Sequence, residues 1–162
     1  MKVIIVTGSV GSGKTTLSKK VAKKFNLEYI DISKLIADND LSSGYDKKRK
    51  CKIIDIKKLN EFLINLIRNS KSNLIIDSHL SHYLPKKYVN LCIVTKCSLK
   101  VLEKRLKKRK YHKSKIRENI DVEIFDVCLN EAKALNHKIV VIDTTKGINI
   151  DSLSSKIKAI LK

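Results

Sequence analysis

Short, wholly apolar runs alternate along this chain with longer stretches of helical period, the pattern of a parallel sheet covered by helices. Residues 3–6 are all apolar and β-branched, which predicts a central strand buried on both faces. Further strands are predicted over 28–32, 74–77, 91–94 and 139–142. From Lys14 the apolar positions fall at Leu17, Val21, Ala22 and Phe25, one face of a helix. Ile56, Leu59, Phe62, Leu63, Leu66 and Ile67 form a second stripe. Ser98 can cap a helix running to about Arg109. Residues 119–135 read as one longer helix with Ile120, Ile124, Val127 and Cys128 on one side, and 150–161 as the closing helix. Five strands with their helices predict a doubly wound α/β fold.

Two stretches break the rhythm. Residues 38–52 are polar, contain Ser42-Ser43-Gly44 and end in Lys47-Lys48-Arg49-Lys50, while 104–115 are dense in cations. Long polar insertions in a compact domain are commonly lids or binding loops, and in this fold they flank the carboxyl ends of the strands, where ligands bind. The length of 162 residues suits one domain spanning 1–162. No apolar run approaches the roughly 20 residues that span a bilayer. The apolar start is cut short by Thr7 and Gly8, too soon for a signal peptide, so a cytoplasmic location without membrane contact is expected. The four cysteines show no CxxC pairing, and Cys92 and Cys128 lie among apolar residues as buried thiols. Lys and Arg number 35 against 16 Asp and Glu, a formal charge of +19. Such a surplus favours polyanions, whether nucleotides, RNA or an acidic protein, although richness in Lys, Ile and Asn also fits codon bias.

Gly8-Ser9-Val10-Gly11-Ser12-Gly13-Lys14-Thr15 matches the P-loop pattern G-x-x-x-x-G-K-[ST] in full, between a buried strand and an amphipathic helix. Glycines let the backbone turn its N–H groups toward phosphate oxygens, and the helix from Lys14 adds its positive end. The Lys14 ammonium can reach the β and γ phosphates, and the Thr15 hydroxyl can hold Mg²⁺. The carboxylate such a metal needs is expected at Asp77, which closes an apolar run, although a strand terminus or helix cap would look the same. His79 follows two residues on, as a catalytic candidate or a solvated histidine. Arg105 and Arg109 lie on one helix face, with Arg117 beyond the turn, either to stabilise a transferring phosphoryl group or as a solvated basic face.

These residues resemble the adenylate kinase isoenzyme 6 family. The likeness is carried by residues 8–16, Asp77-Ser78-His79, Arg105-Leu106 with Arg109 and Tyr111, and Asn119-Ile120 with Glu123-Ile124-Phe125. Gly44-Tyr45-Asp46, Cys51 and Ile53-Ile54-Asp55 also look like that family's monophosphate region. The resemblance implies a P-loop NTPase fold of the nucleoside-monophosphate-kinase type, with a five-stranded parallel sheet and helices on both faces. A monophosphate region would lie near 31–55 and a lid near 103–115. It implies a kinase using Mg²⁺ with ATP on AMP or another nucleoside monophosphate, and ATP hydrolysis. It also implies a part in late small-subunit maturation beside a ribosomal protein of the uS11 family and rRNA. On this likeness Gly8, Gly11, Gly13, Lys14, Thr15, Thr16 and Arg109 bind ATP, and Lys146 lies near adenine. Lys14, Asp77, His79, Arg105 and Arg109 act in transfer, and Thr15 and Asp77 hold the metal. One departure stands out: an arginine that the family often places after the second strand falls on Ala37, and no Arg occurs between Lys14 and Arg49. Lys34 or the 47–50 run would have to substitute, without an arginine's paired donors. The alternative is an ATPase assembly switch with little transfer to monophosphates. A kinase for another small acceptor such as shikimate would need a second acidic group beside Asp31-Ile32-Ser33.

Overall fold

A computed structural model describes residues 1–47 and 51–162, with the side chain of Cys51 excepted. Five parallel strands make the main sheet: β1 (Val3–Thr7), β2 (Glu28–Asp31), β5 (Leu74–Asp77), β6 (Leu91–Lys96) and β7 (Ile139–Asp143). They lie in the order β2-β5-β1-β6-β7. β1 is the middle strand and is wholly buried, as its apolar run requires. Val3 to Val6 pair with Leu74 to Asp77 on one side, and Ile4 to Thr7 with Leu91 to Val94 on the other. This register brings the carboxyl ends of β1 and β5 level, so the P-loop and Asp77 leave the sheet together.

Successive side chains of a strand point to opposite faces, and the core divides accordingly. Val3, Ile5, Leu74, Ile76 and Cys92 face α2 (Ile32–Asp38) and α3 (Ile56–Asn69), packing with Ile32, Ile36, Leu59, Leu63 and Ile67. Ile4, Val6, Ile75, Leu91 and Ile93 face α1 (Lys14–Phe25) and α7 (Asp151–Leu161), meeting Leu17, Val21, Leu153, Ile157 and Ile160. The chain is therefore an α/β P-loop fold with helices on both faces. Beyond the strand ends, Leu102 and Leu106 of α4 (Leu99–Lys108) pack with Ile116 of α5 (Lys113–Ile124) and Cys97 in a smaller cluster.

Three expectations change. Residues 119–135 are not one helix: α5 begins at Lys113 and stops at Ile124, Asp126 turns through the left-handed region at φ 51, and α6 (Val127–Ala134) sets off anew. Aspartate tolerates that conformation better than most residues, and the break lets α5 pack on α4 while Cys128 and Ala132 of α6 bury elsewhere. Ile124, placed on the buried stripe by its spacing, is exposed. The second strand ends at Asp31 rather than residue 32, because the Asp31 carboxylate accepts the N–H groups of Ser33 and Lys34 and starts α2. The polar stretch 38–52 is not all loop: it holds the end of α2 and an antiparallel pair, β3 (Ser42–Asp46) and β4 (Cys51–Ile54). Within the 47–50 run, residues 48–50 lie outside the described residues. Ser98 occupies the N-cap of α4 without a side-chain capping bond. Cys92, Cys97 and Cys128 are buried free thiols. No helix among the described residues is long and apolar enough to cross a membrane.

Candidate active site

The loop from Gly8 to Gly13 folds back over the end of β1 in a conformation that glycine permits. A Cβ on Gly8 (φ 140) would stand 2.4 Å from the Thr95 carbonyl oxygen, closer than any real side chain sits. Gly13 (φ 97) lies against Thr144, which would meet an added Cβ at 3.1 Å. The loop is also tied from behind. Ser9 Oγ donates to Glu123 Oε2 (2.7 Å), and Glu123 Oε1 accepts the N–H of Cys97 (3.0 Å). The Ser12 and Thr95 hydroxyls are 2.6 Å apart, and Thr144 Oγ1 donates to the Ser12 carbonyl (2.7 Å).

Lys14 Nζ donates to the carbonyls of Gly8 (3.0 Å) and Ser9 (2.8 Å), so the ammonium is held over the loop. Loss of water around it lowers its pKa, and the charge of Asp77 opposes that shift. Thr15 Oγ1 donates to Asp77 Oδ2 (2.6 Å), and the Tyr29 hydroxyl donates to the same oxygen (3.0 Å). Asp77 Oδ1 is buried without a partner. Burial raises the pKa of Asp77, against the stabilising effects of Thr15 and Lys14. Burial and then Asp77 raise that of Tyr29.

An oxygen of that kind, beside a threonine hydroxyl at the foot of a phosphate loop, fits a divalent cation. Among the described residues no group of three or more His, Cys, Asp or Glu could hold an ion unaided. Mg²⁺ suits such a place because it binds through one or two protein groups together with substrate phosphates and water.

Two clefts open from the loop. The smaller, of about 330 Å³, is lined by Lys14, Thr15, Asp77 and His79, by Asp31 at the end of β2 and Ser33 in the first turn of α2, and by Arg109 and Lys115. The larger, of about 630 Å³, runs from Gly11, Gly13 and Thr16 past Arg105, Lys108 and Arg109 to Gly147 and Ile148. Arg109 borders both. Arg105 is engaged elsewhere: its guanidinium donates to the Gly11 carbonyl (3.3 Å), Thr144 Oγ1 (3.0 Å) and the Thr144 carbonyl (2.7 Å). It thus ties α4 to the loop after β7. His79 is solvent-accessible at the mouth of the smaller cleft, where partial desolvation and then Lys14, His82 and Lys115 lower its pKa and keep the imidazole neutral. Lys146 lines a separate groove along β7, next to Gly147 of the larger cleft. Arg117 pairs with Asp121 (3.0 Å), and Ala37 lies on α2 one turn beyond Ser33.

Sequence reasoning passed over Tyr29, Lys115, Glu123 as a brace, and Thr144. Tyr29 and Asp31 alternate along β2 toward one face, and Glu123 stood within a quoted motif, so some signal existed for both. Nothing local marks Thr144, and Lys115 entered only as the last residue of the cation-dense stretch, since the parts of both depend on contacts across the fold.

A P-loop at the end of the middle strand, a carboxylate at the next strand end and a cationic turn above define a nucleotide-binding protein of the kinase class. A family model described as AAA domain matches residues 4–126. The chain is 33% identical to the adenylate kinase isoenzyme 6 homolog of Caenorhabditis elegans, over 80% of this chain and 71% of that protein. It is 35% identical to the homolog FAP7 of Saccharomyces cerevisiae, over 94% of this chain and 77% of that one. Shikimate kinase from Acinetobacter baumannii, solved with shikimate, shares the fold with a TM-score of 0.67 at 16% identity, over 99% of this chain and 93% of that one. The chain belongs to the adenylate kinase isoenzyme 6 family.

Proposed function

We propose that this chain catalyses Mg²⁺-dependent transfer of the γ-phosphoryl group of ATP to AMP, or to another nucleoside monophosphate, giving two diphosphates. The observation that carries the reading is the set Lys14, Thr15 and Asp77 at one point of the phosphate loop. Bound Mg²⁺, held by Thr15 and Asp77, would offset charge on the β and γ phosphates. In transfer, a bond forms from an AMP phosphate oxygen to the γ phosphorus, and the bond to the β–γ bridging oxygen breaks. The attacking oxygen is already anionic, so no protein base is required. The residues position and neutralise: loop N–H groups and Lys14 hold the phosphates, while Arg109 from the 103–115 lid reaches the transferring group. Arg105 acts by fixing the loop. Thr16 borders both clefts, Gly147 and Ile148 border the larger one, and Lys146, in the adjoining groove along β7, would lie near adenine.

A second reading, an ATPase switch in small-subunit maturation beside a uS11-type protein and rRNA, is favoured by Ala37. The α2 face that carries Ser33 into the cleft offers no guanidinium to an acceptor phosphate. The charge of +19 supports a polyanionic partner. Under this reading the neutral His79 helps place the attacking water.

The test is product analysis after incubation with Mg-ATP, with and without AMP. AMP-dependent ADP formation supports transfer, whereas phosphate release indifferent to AMP supports the switch. Lys14→Ala should lower either turnover by about 100- to 1,000-fold, the range for losing one preorganised charge contact. Undiminished turnover would sink both readings.

A further inference from the structure

We propose that Lys115 is the cation that grips the acceptor phosphate, in place of the arginine missing at Ala37; this rests on the kinase reading above. Three cationic side chains line the smaller cleft: Lys14, Arg109 and Lys115. Lys14 is bound to the loop carbonyls, and Arg109 also borders the larger cleft, so both belong to the donor side. Lys115 borders the smaller cleft but not the larger, and shares it with Asp31 at the end of β2, Ser33 at the start of α2 and His79 just past β5. That is the end of the site away from Gly147 and Ile148, where a second nucleotide must present its phosphate to the γ phosphorus. Lys34, the nearest cation to Ala37 on α2, does not line the cleft.

The placement of Lys115 suits a ligand better than it suits the fold. It lies in the first turn of α5, a turn without acidic residues, where the helix's own positive end disfavours an ammonium. Among the described residues no carboxylate forms an ion pair with it. Its backbone is nevertheless fixed: Asn119 Nδ2 donates to the Lys115 carbonyl (2.7 Å), and the neighbouring Ile116 is buried against Leu102 and Leu106. The Tyr111 ring lies 4.9 Å from Nζ and steers the chain toward the cleft. A half-buried cation over a cleft lined by Ser33, Ser78 and His79, as well as by Asp31 and Asp77, is a receptor for a phosphate monoester dianion.

The experiment compares the unmutated chain with Lys115→Gln and Lys115→Arg. Calorimetric titration gives the Kd of AMP and of Mg-ATP, and steady-state kinetics gives both KM values. Losing a charge-assisted contact of roughly 1.5–3 kcal/mol corresponds to about a 10- to 100-fold weaker Kd and higher KM for AMP in Lys115→Gln. The expected change for ATP is within about threefold, and Lys115→Arg is expected to recover most of the AMP affinity. Circular dichroism and the ATP titration show that the variants are folded. AMP affinity unchanged in Lys115→Gln, or AMP and ATP weakened alike, would overturn the proposal. If the unmutated chain binds AMP but transfers nothing to it, the kinase reading fails and the AMP titration still decides Lys115. If it does not bind AMP at all, the assignment of Lys115 falls as well.

Discussion

Asp77 receives two hydroxyl protons on Oδ2 and none on Oδ1, an asymmetry set by Thr15 on one side and Tyr29 on the other. A buried oxygen left without a donor costs the free protein stability, and the raised pKa expresses the same cost. Between the ordinary carboxylate value of about 4 and the raised one, the folded chain holds a proton that the unfolded chain has released. Stability contributed by this group is therefore present at low pH and falls as pH rises through that window. In Asp77→Asn the amide oxygen still accepts from Thr15 and Tyr29, so this part of the slope should vanish in urea unfolding followed across pH. Mg-ATP turnover of the same variant should drop by about 100-fold or more. Much of this residue-scale chemistry was legible in the sequence, because Lys14, Thr15 and Asp77 sit at positions fixed by a strand and a loop. The bond from Tyr29 was not, since it depends on β2 lying beside β5, a pairing that strand length and polarity leave undetermined.

At the scale of elements, the phosphate loop is braced at its back by Glu123 of α5 and at its side by Arg105 of α4, through Thr144. Helices α4 and α5 are thereby coupled to the floor of the site. Arg105→Ala removes three hydrogen bonds, and we expect a loss of about 1–3 kcal/mol in urea unfolding with a weaker Kd for ATP. Arg105→Lys should rescue little, because one ammonium cannot reproduce a forked contact to two groups. If ATP affinity held while turnover fell, Arg105 would touch the transferring phosphate instead. The main strands and four helices were readable because their apolar periods are long and unbroken. The α5–α6 break was hidden: Ile124 and Val127 keep the spacing of one face across it, and only the backbone at Asp126 reveals the turn. The β3–β4 pair was hidden for a different reason, since Ser42, Gly44 and Asp46 present no apolar face to betray a strand.

Across the whole molecule the formal charge of +19 sets up self-repulsion that opposes the compact state. Raising NaCl toward about 0.5 M shortens the screening length to a few ångströms and should raise the Tm by roughly 2–4 °C, equivalent to about 1 kcal/mol for a chain of this size. A thermal melt series checks this, and a falling Tm would mean that screened ion pairs outweigh the repulsion.

The place of β1 has a consequence in time. Of the five strands of the main sheet the one made earliest, β1, becomes the middle, and its neighbours begin at Leu74 and Leu91. At a synthesis rate of about 5–20 residues per second, the phosphate loop leaves the ribosome some seconds before either flank exists. During that interval Gly8 has no Thr95 to lean on and Thr15 no Asp77 to meet, so a growing chain carries the whole nucleotide motif without its grip. Competence to hold ATP arrives late, once β5 and β6 have closed on the waiting strand and Arg105, Glu123 and Thr144 have followed to brace its loop.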